Sequence, residues 1–300
     1  MSRAIAVDPG VAQALAAGRP VVALESALIT HGLPAPINLD IARQLEAVVR
    51  EEGALPATVA VLDGVARVGL TPAELEQLAG MTDAAKVSLR DLPVVVAQGG
   101  SGGTTVAATM HLAHQASVPV FATGGIGGVH RGHPEDVSAD LTALSRIPMI
   151  VVCAGAKAIL DLGRTLETLE TLGVTVVGYG TDDFPAFTSR SSGLPVAAQA
   201  EDPEAVAAMA RARDALALRA AILVAVPIPE AAALPWSEAE DEIEAAVAEA
   251  EERGISGRAL TPFLLARLSE RTGGRSREAN EVLLRNNARV AARIAGSLST

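Results

Sequence analysis

Seven short apolar runs rich in Val and Ile punctuate this chain, and most are separated by segments with helical spacing. The runs are VVALE at 21–25, TVAVL at 58–62, VVVAQ at 94–98, VPVFAT at 118–123, MIVVCA at 149–154, VTVVGY at 174–179 and AILVAVPI at 221–228. Strand-length runs this continuously apolar fit strands covered on both faces, which is the environment of a parallel sheet. The intervening segments predict helices at 39–52 with Asn38 as N-cap, 71–78 with Pro72 in the first turn, 104–115, 156–172 and 203–218. Alternation of this kind predicts an α/β fold: three α/β/α layers around a largely parallel, twisted sheet. The last fifth has no strand signal and reads as helices at 237–253, 260–272 and 276–298, a helical C-terminal extension. Residues 185–195 read as an irregular loop. No low-complexity linker divides the chain, so the expectation is a single domain over residues 1–300.

Open α/β sheets bind ligands beyond the carboxyl ends of their strands. Four such ends carry chemistry: Glu25-Ser26, the glycine-rich turn after Gln98, the Thr123-Gly-Gly-Ile-Gly-Gly turn, and Ala154-Gly-Ala-Lys157. Glycines let backbone N–H groups approach a ligand, and a helix opened by such a turn favours an anion, typically phosphate. Thr123 to Gly132 reads as a backbone cradle, with His130 and Arg131 at its edge and Thr104-Thr105 as an anion-facing helix start. Lys157 is expected where a buried strand passes into the helix at 156–172. The chain holds 22 arginines but only two lysines, Lys86 and Lys157. Lysine can shed its proton when desolvated and act as a nucleophile, whereas arginine stays charged. Other readings compete. Glu25 could cap a helix or pair with an arginine, Asp136 and Asp140 could be helix caps or cation ligands, and Cys153 reads as a small core residue. His111 and His114 read as a solvated helix face. No G-x-x-x-x-G-K-[ST] motif is present, which disfavours a Walker-type nucleotide site.

Bulk properties exclude several classes. A net charge of -11 and six aromatic residues oppose a nucleic-acid polymer as partner. One cysteine allows neither an internal disulfide nor a cysteine zinc cluster. No run is long enough to span a bilayer and no signal peptide is read, so the expectation is a soluble cytoplasmic protein.

The strings VVALESALITHGLPAPIN, GALPATVAVLDG, KVSLRDLP, GTTVAATM, FATGGIGGVHRG, DVSADL, VVCAGAKAILDLG, PIPE and LTPFLLARLSERTGG span nearly the whole chain. Together they resemble the pseudouridine-5′-phosphate glycosidases, a family that includes proteins associated with indigoidine synthesis. The resemblance implies Glu25 as proton donor, Lys157 as nucleophile and Asp136 as a ligand of one manganese ion per subunit. It implies substrate contacts at Lys86, Val106, Ser138, Ala139, Asp140 and Asn280; Thr123, His130 and Arg131 join them from the cradle reading. It further implies a homotrimer that interconverts pseudouridine 5′-phosphate with uracil and ribose 5-phosphate. The stretch between Gly132 and Asp136 is shorter than the family pattern and lacks its aromatic. A base joined through carbon offers no lone pair on the linking atom for a proton, so the paired carboxylates of ordinary glycosidases do not suffice. The resemblance implies a lysine adduct with the opened ribose, which supplies the missing electron sink. Two alternatives use parts of the same site: a Schiff-base lyase or aldolase for another sugar phosphate, and a non-catalytic phosphosugar-binding protein.

Overall fold

A computed structural model describes residues 5–255 and 260–299. Its strands in chain order are β1 (Ile5–Val7), β2 (Val21–Leu24), β3 (Leu55–Leu62), β4 (Val65–Val68), β5 (Ala85–Val87), β6 (Gly102–Thr104) and β7 (Val120–Ala122). They continue with β8 (Val129–His130), β9 (His133–Val137), β10 (Ile150–Cys153), β11 (Leu160–Asp161), β12 (Thr175–Tyr179), β13 (Ala198–Ala200) and β14 (Ile222–Ala225). The helices are α1 (Pro9–Ala16), α2 (Ile37–Glu51), α3 (Pro72–Gly80), α4 (Leu92–Ala97), α5 (Val106–Gln115) and α6 (Ala139–Arg146). After them come α7 (Leu162–Thr171), α8 (Pro203–Ala215), α9 (Trp236–Glu252), α10 (Leu260–Arg271) and α11 (Arg275–Leu298).

The main sheet runs β1-β4-β3-β2-β7-β10-β14-β12-β13, with β5 and β6 attached beside β3. Its centre, β3-β2-β7-β10-β14-β12, is parallel throughout. Every residue of β2, β7, β10 and β14 is buried, as expected of strands covered on both faces. Each Val, Leu or Ile so buried contributes about 1.5–3 kcal/mol relative to exposure. On one side α2, α11 and α8 lie together, with α11 against β2, β7 and β10; α5, α6 and α7 form a second group. The C-terminal helix is therefore no appendage but the cover of the central strands. A small antiparallel sheet, β11-β8-β9, stands apart.

Local chemistry explains the boundaries. Thr71 and Glu74 form a capping box on α3, with Pro72 in the first turn. Asp8 caps α1, and Asp202 caps α8 ahead of Pro203.

Four expectations are corrected. Residues 94–97 belong to helix α4 rather than a strand, with Gln98 as its C-cap. Pro93 occupies its first turn, and the exit is a Schellman motif: Gly99 at φ 68° donates to Val96 O (3.2 Å) and Gly100 to Val95 O (2.9 Å). These end signals outweigh the β preference of three valines, and Val94 stays 52% exposed. Asn38 is not an N-cap but lies inside α2, buried, donating to Ile29 O (2.9 Å) and Ala79 O (3.0 Å). The helix expected from 156 begins at Leu162, capped by Asp161, because Leu160 and Asp161 pair with β8 first. Asp136 is not a helix cap but sits on β9, because residues 133–137 complete a hairpin with β8.

Candidate active site

Three neighbouring parallel strands place the central groups. β2 pairs with β7 with Leu24 opposite Ala122, so Glu25 and Thr123 occupy the next rung. β7 pairs with β10 on its other side. Beyond β10 the chain stays beside the glycine turn through an Ile126–Ala156 bridge and the bond from Lys157 N–H to Ile126 O (3.1 Å). Lys157 thus lies in a turn between β10 and β11, without the helix start the sequence suggests.

The Thr123 hydroxyl donates to Glu25 Oε1. Burial pushes the Glu25 carboxyl above its ordinary value; the Lys157 ammonium, the Thr123 bond and Lys86 oppose that rise, and the Asp140 carboxylate adds to it. Those couplings bring Glu25, Lys157, Lys86 and Asp140 into one electrostatic cluster drawn from β2, the turn after β10, β5 and α6. A carboxyl raised by desolvation holds its proton to higher pH than a free one, which suits it to act as a proton donor.

Asp140 is itself committed. Its Oδ1 accepts from Ala107 N–H (3.1 Å) in the first turn of α5, and its Oδ2 from Gly127 N–H (2.8 Å). It thereby ties the glycine turn to the helix that begins with Val106. Ser138 caps α6 by accepting from Asp140 N–H (3.2 Å), and its own N–H donates to Gly128 O (3.0 Å). Ala139 begins that helix in an exposed position. Asn280, from α11, brings its Oδ1 to 3.4 Å from where a Gly124 Cβ would lie. Below Glu25, Ser26 Oγ donates to Val59 O (2.5 Å) and accepts from Thr104 N–H (2.9 Å), joining β2, β3 and β6.

His130, Arg131 and Asp136 form a second group, on and beside the small sheet. His130 Nδ1 lies 3.3 Å from Asp136 Oδ2, and its Nε2 lies 3.5 Å from Thr261 Oγ1. Arg131 donates to Leu160 O (3.1 Å) and Ala158 O (3.3 Å), so it braces the segment just past Lys157. Among the described residues no group of three or more His, Cys, Asp or Glu could hold a metal ion. A hard cation at Asp136 would have one protein carboxylate and take its remaining oxygens from water and phosphate, a pattern that Mg²⁺-like ions accept.

Sequence reasoning missed several supports. His31 follows Glu25 on a π-helical turn, Leu28–Gly32, with Nδ1 2.7 Å from Thr30 Oγ1; desolvation and the Lys86 charge lower its pKa. Phe187 adopts φ 60°, uncommon for a bulky residue, and its ring covers Gly125, where a Cβ would lie 2.7 Å from Cδ2. Asn287, fully buried on α11, donates to Thr123 O (2.8 Å) and Gly124 O (3.2 Å). One signal was present for it: an asparagine at a position that helical spacing assigns to the apolar stripe of Leu283, Val290 and Ile294. Cys153 conforms to its core reading, since burial pushes its thiol up to about 12. No helix among the described residues is long and apolar enough to cross a membrane.

Comparison with known proteins agrees with the earlier resemblance. Residues 10–297 match the family described as indigoidine synthase A like protein. The chain is 56% identical over 292 residues to a pseudouridine-5′-phosphate glycosidase of Methylobacterium nodulans, covering 97% of this chain and 87% of the relative. It is 54% identical to one of Paracoccus denitrificans, with 99% of both chains covered. Among solved structures, the prealnumycin C-glycosynthase AlnA in complex with ribulose 5-phosphate superposes with a TM-score of 0.92 at 39% identity, covering 100% of this chain and 98% of that one. An indigoidine synthase A-like protein of Thermotoga maritima gives 0.91 at 36%, covering 99% and 97%. The chain belongs to the indigoidine synthase A-like family, whose curated relatives carry the name pseudouridine-5′-phosphate glycosidase.

Proposed function

We propose that this protein is a pseudouridine-5′-phosphate glycosidase that splits the C–C glycosidic bond to uracil and ribose 5-phosphate, reversibly, through an adduct on Lys157. The observation that carries the reading is the clustering of Glu25, whose carboxyl burial pushes upward, with Lys157 at the ends of β2 and β10. Glu25 protonates the ring oxygen as the ribose opens. The Lys157 amine bonds C1′ as the C1′–O4′ bond breaks and gives up a proton to the Glu25 carboxylate. The nitrogen lone pair then breaks the C1′–C5 bond, and Glu25 passes that proton to the uracil carbon. An imine between Nζ and C1′ remains, and water hydrolyses it to ribose 5-phosphate and free lysine.

Lys86 and the first turn of α5, beginning at Val106, face the phosphosugar; Ser138, Ala139 and Asp140 shape the turn beside it, and Asn280 faces the base. Arg131 and His130 support the turn from behind. Asp136 would hold one Mn²⁺, and the ion would supply charge stabilisation. The chain acts as one catalytic domain in a cytoplasmic homotrimer, which light scattering of the purified protein would test.

Borohydride reduction in the presence of ribose 5-phosphate, read by mass spectrometry, should leave a stable adduct on Lys157. Uracil added with ribose 5-phosphate should then give pseudouridine 5′-phosphate. Lys157→Arg should lose both, with a rate loss on the order of 10⁴ or more, the scale seen when an essential nucleophile is removed. Full turnover by Lys157→Arg would sink the mechanism.

A further inference from the structure

We propose that Asn287 is a positioning residue for the catalytic acid, acting on Glu25 through Thr123. The inference rests on the reading of Glu25 as the acid and adds a group outside the substrate cleft to that machinery.

Thr123 lies one residue past the end of β7. Its N–H still bonds across to β10, at Val152 O (2.9 Å), but its carbonyl has left the ladder. Asn287 Nδ2 supplies the partner for that carbonyl at 2.8 Å and shares the Gly124 carbonyl at 3.2 Å. Gly124 O in turn receives Ala154 N–H (2.8 Å). The amide thus holds two successive peptides, Thr123–Gly124 and Gly124–Gly125, at the point where the strand opens into the glycine turn. With that backbone fixed, the Thr123 side chain points at Glu25, to which its hydroxyl donates.

Asn287 is fully buried, and its Oδ1 has no hydrogen-bond partner among the described residues. Burying an amide with half its capacity unused opposes stability, and an apolar residue of similar shape would serve a purely packing role better. What the amide gains is the placement of Thr123. The helix reinforces this geometry, because Asn280, two turns earlier on the same face of α11, lies against the same Gly124. Gly124 has no side chain, so α11 can approach this closely.

The test is a double-mutant cycle on the full-length protein with pseudouridine 5′-phosphate as substrate, using Asn287→Leu, Thr123→Val and the pair. Lys157, Asp140 and Lys86 also face Glu25, from the turn after β10, from α6 and from β5, and remain in place in every variant. Asn287→Leu should lower kcat by up to about 10-fold, no more than Thr123→Val does, with KM little changed. It should move the Glu25 limb of the pH profile in the same direction as Thr123→Val, and the double variant should be no worse than the more damaged single one. Should Asn287→Leu fail to fold, Asn287→Ser, which removes the bonds with less change of surroundings, is read in the same way. Independent, multiplying effects, or a fall in melting temperature with an unmoved pH limb, overturn the proposal. Glu25→Gln distinguishes it from the parent reading. A limb that Glu25→Gln abolishes and Asn287→Leu leaves alone refutes only the role of Asn287. A limb that Glu25→Gln leaves intact refutes Glu25 as the acid.

Discussion

Thr123 and Glu25 occupy one rung beyond the last paired residues of β7 and β2, and the threonine hydroxyl donates across that rung to the glutamate. The bond favours the ionised carboxyl, while burial, the larger influence, favours the protonated one. Thr123→Val should therefore raise the Glu25 pKa further. The corresponding limb of kcat/KM against pH should move to higher pH, with a rate loss of about 10-fold for one lost charge-assisted hydrogen bond.

Asp140→Asn should move the same limb the opposite way. The Asp140 charge pushes the Glu25 carboxyl up, and removing it lets the carboxyl fall. An asparagine oxygen can keep one of the two N–H donors, Ala107 or Gly127, and the other is left facing an amide NH₂. The cost in stability should be about 1–3 kcal/mol for that unsatisfied donor, read by denaturant unfolding.

Glu25→Gln should cost about 10²–10⁴ in rate, the usual contribution of a general acid. Its stability should move in the other direction. Burial raises the carboxyl from its ordinary 4.5, so the folded protein keeps the proton over a range where the unfolded chain has released it. Stability from this group is therefore full below that value and falls as pH rises through the raised one. A glutamine does not titrate. Thermal melts at rising pH should show the variant gaining on the parent protein, and a constant difference would refute a raised Glu25.

Thorough chelation should remove activity and Mn²⁺ should restore it. Asp136→Ala should need at least about 10-fold more Mn²⁺ for half-maximal rate, since even partners outside the coordination shell matter on that scale. Metal titrations of both proteins, followed by activity, provide the check.

The strands that carry the site were legible because each is a buried apolar run ending in Glu, Thr or a glycine turn. β5 and β6 were not, since three-residue strands such as Gly-Gly-Thr carry no periodicity and form only because β3 gives β6 a partner and β6 in turn gives one to β5. α4 was misread because its valines favour a strand, whereas Pro93 and Gly99-Gly100 decide the outcome at its ends. Glu25 and Lys157 could be located because strand ends in such sheets are where ligands bind. The bonds of Arg131 to Ala158 and Leu160 could not be read in advance. Arg131 looked like an anion ligand, and only the pairing of β8 with β11 shows which carbonyls it faces. Asn287 depends likewise on where α11 lands.

That landing has a consequence for biosynthesis. Glu25, Lys86, Thr123, Asp140 and Lys157 all precede α11 in the chain, so they leave the ribosome before Arg275 does. Yet the amide that holds the end of β7, and the side chains that roof β2, β7 and β10, arrive only with α11. A nascent chain carrying every acid and amine of the site still lacks the part that aims them. On the proposed mechanism, a nascent chain without α11 would hold Lys157 before the support that aims Glu25 is in place.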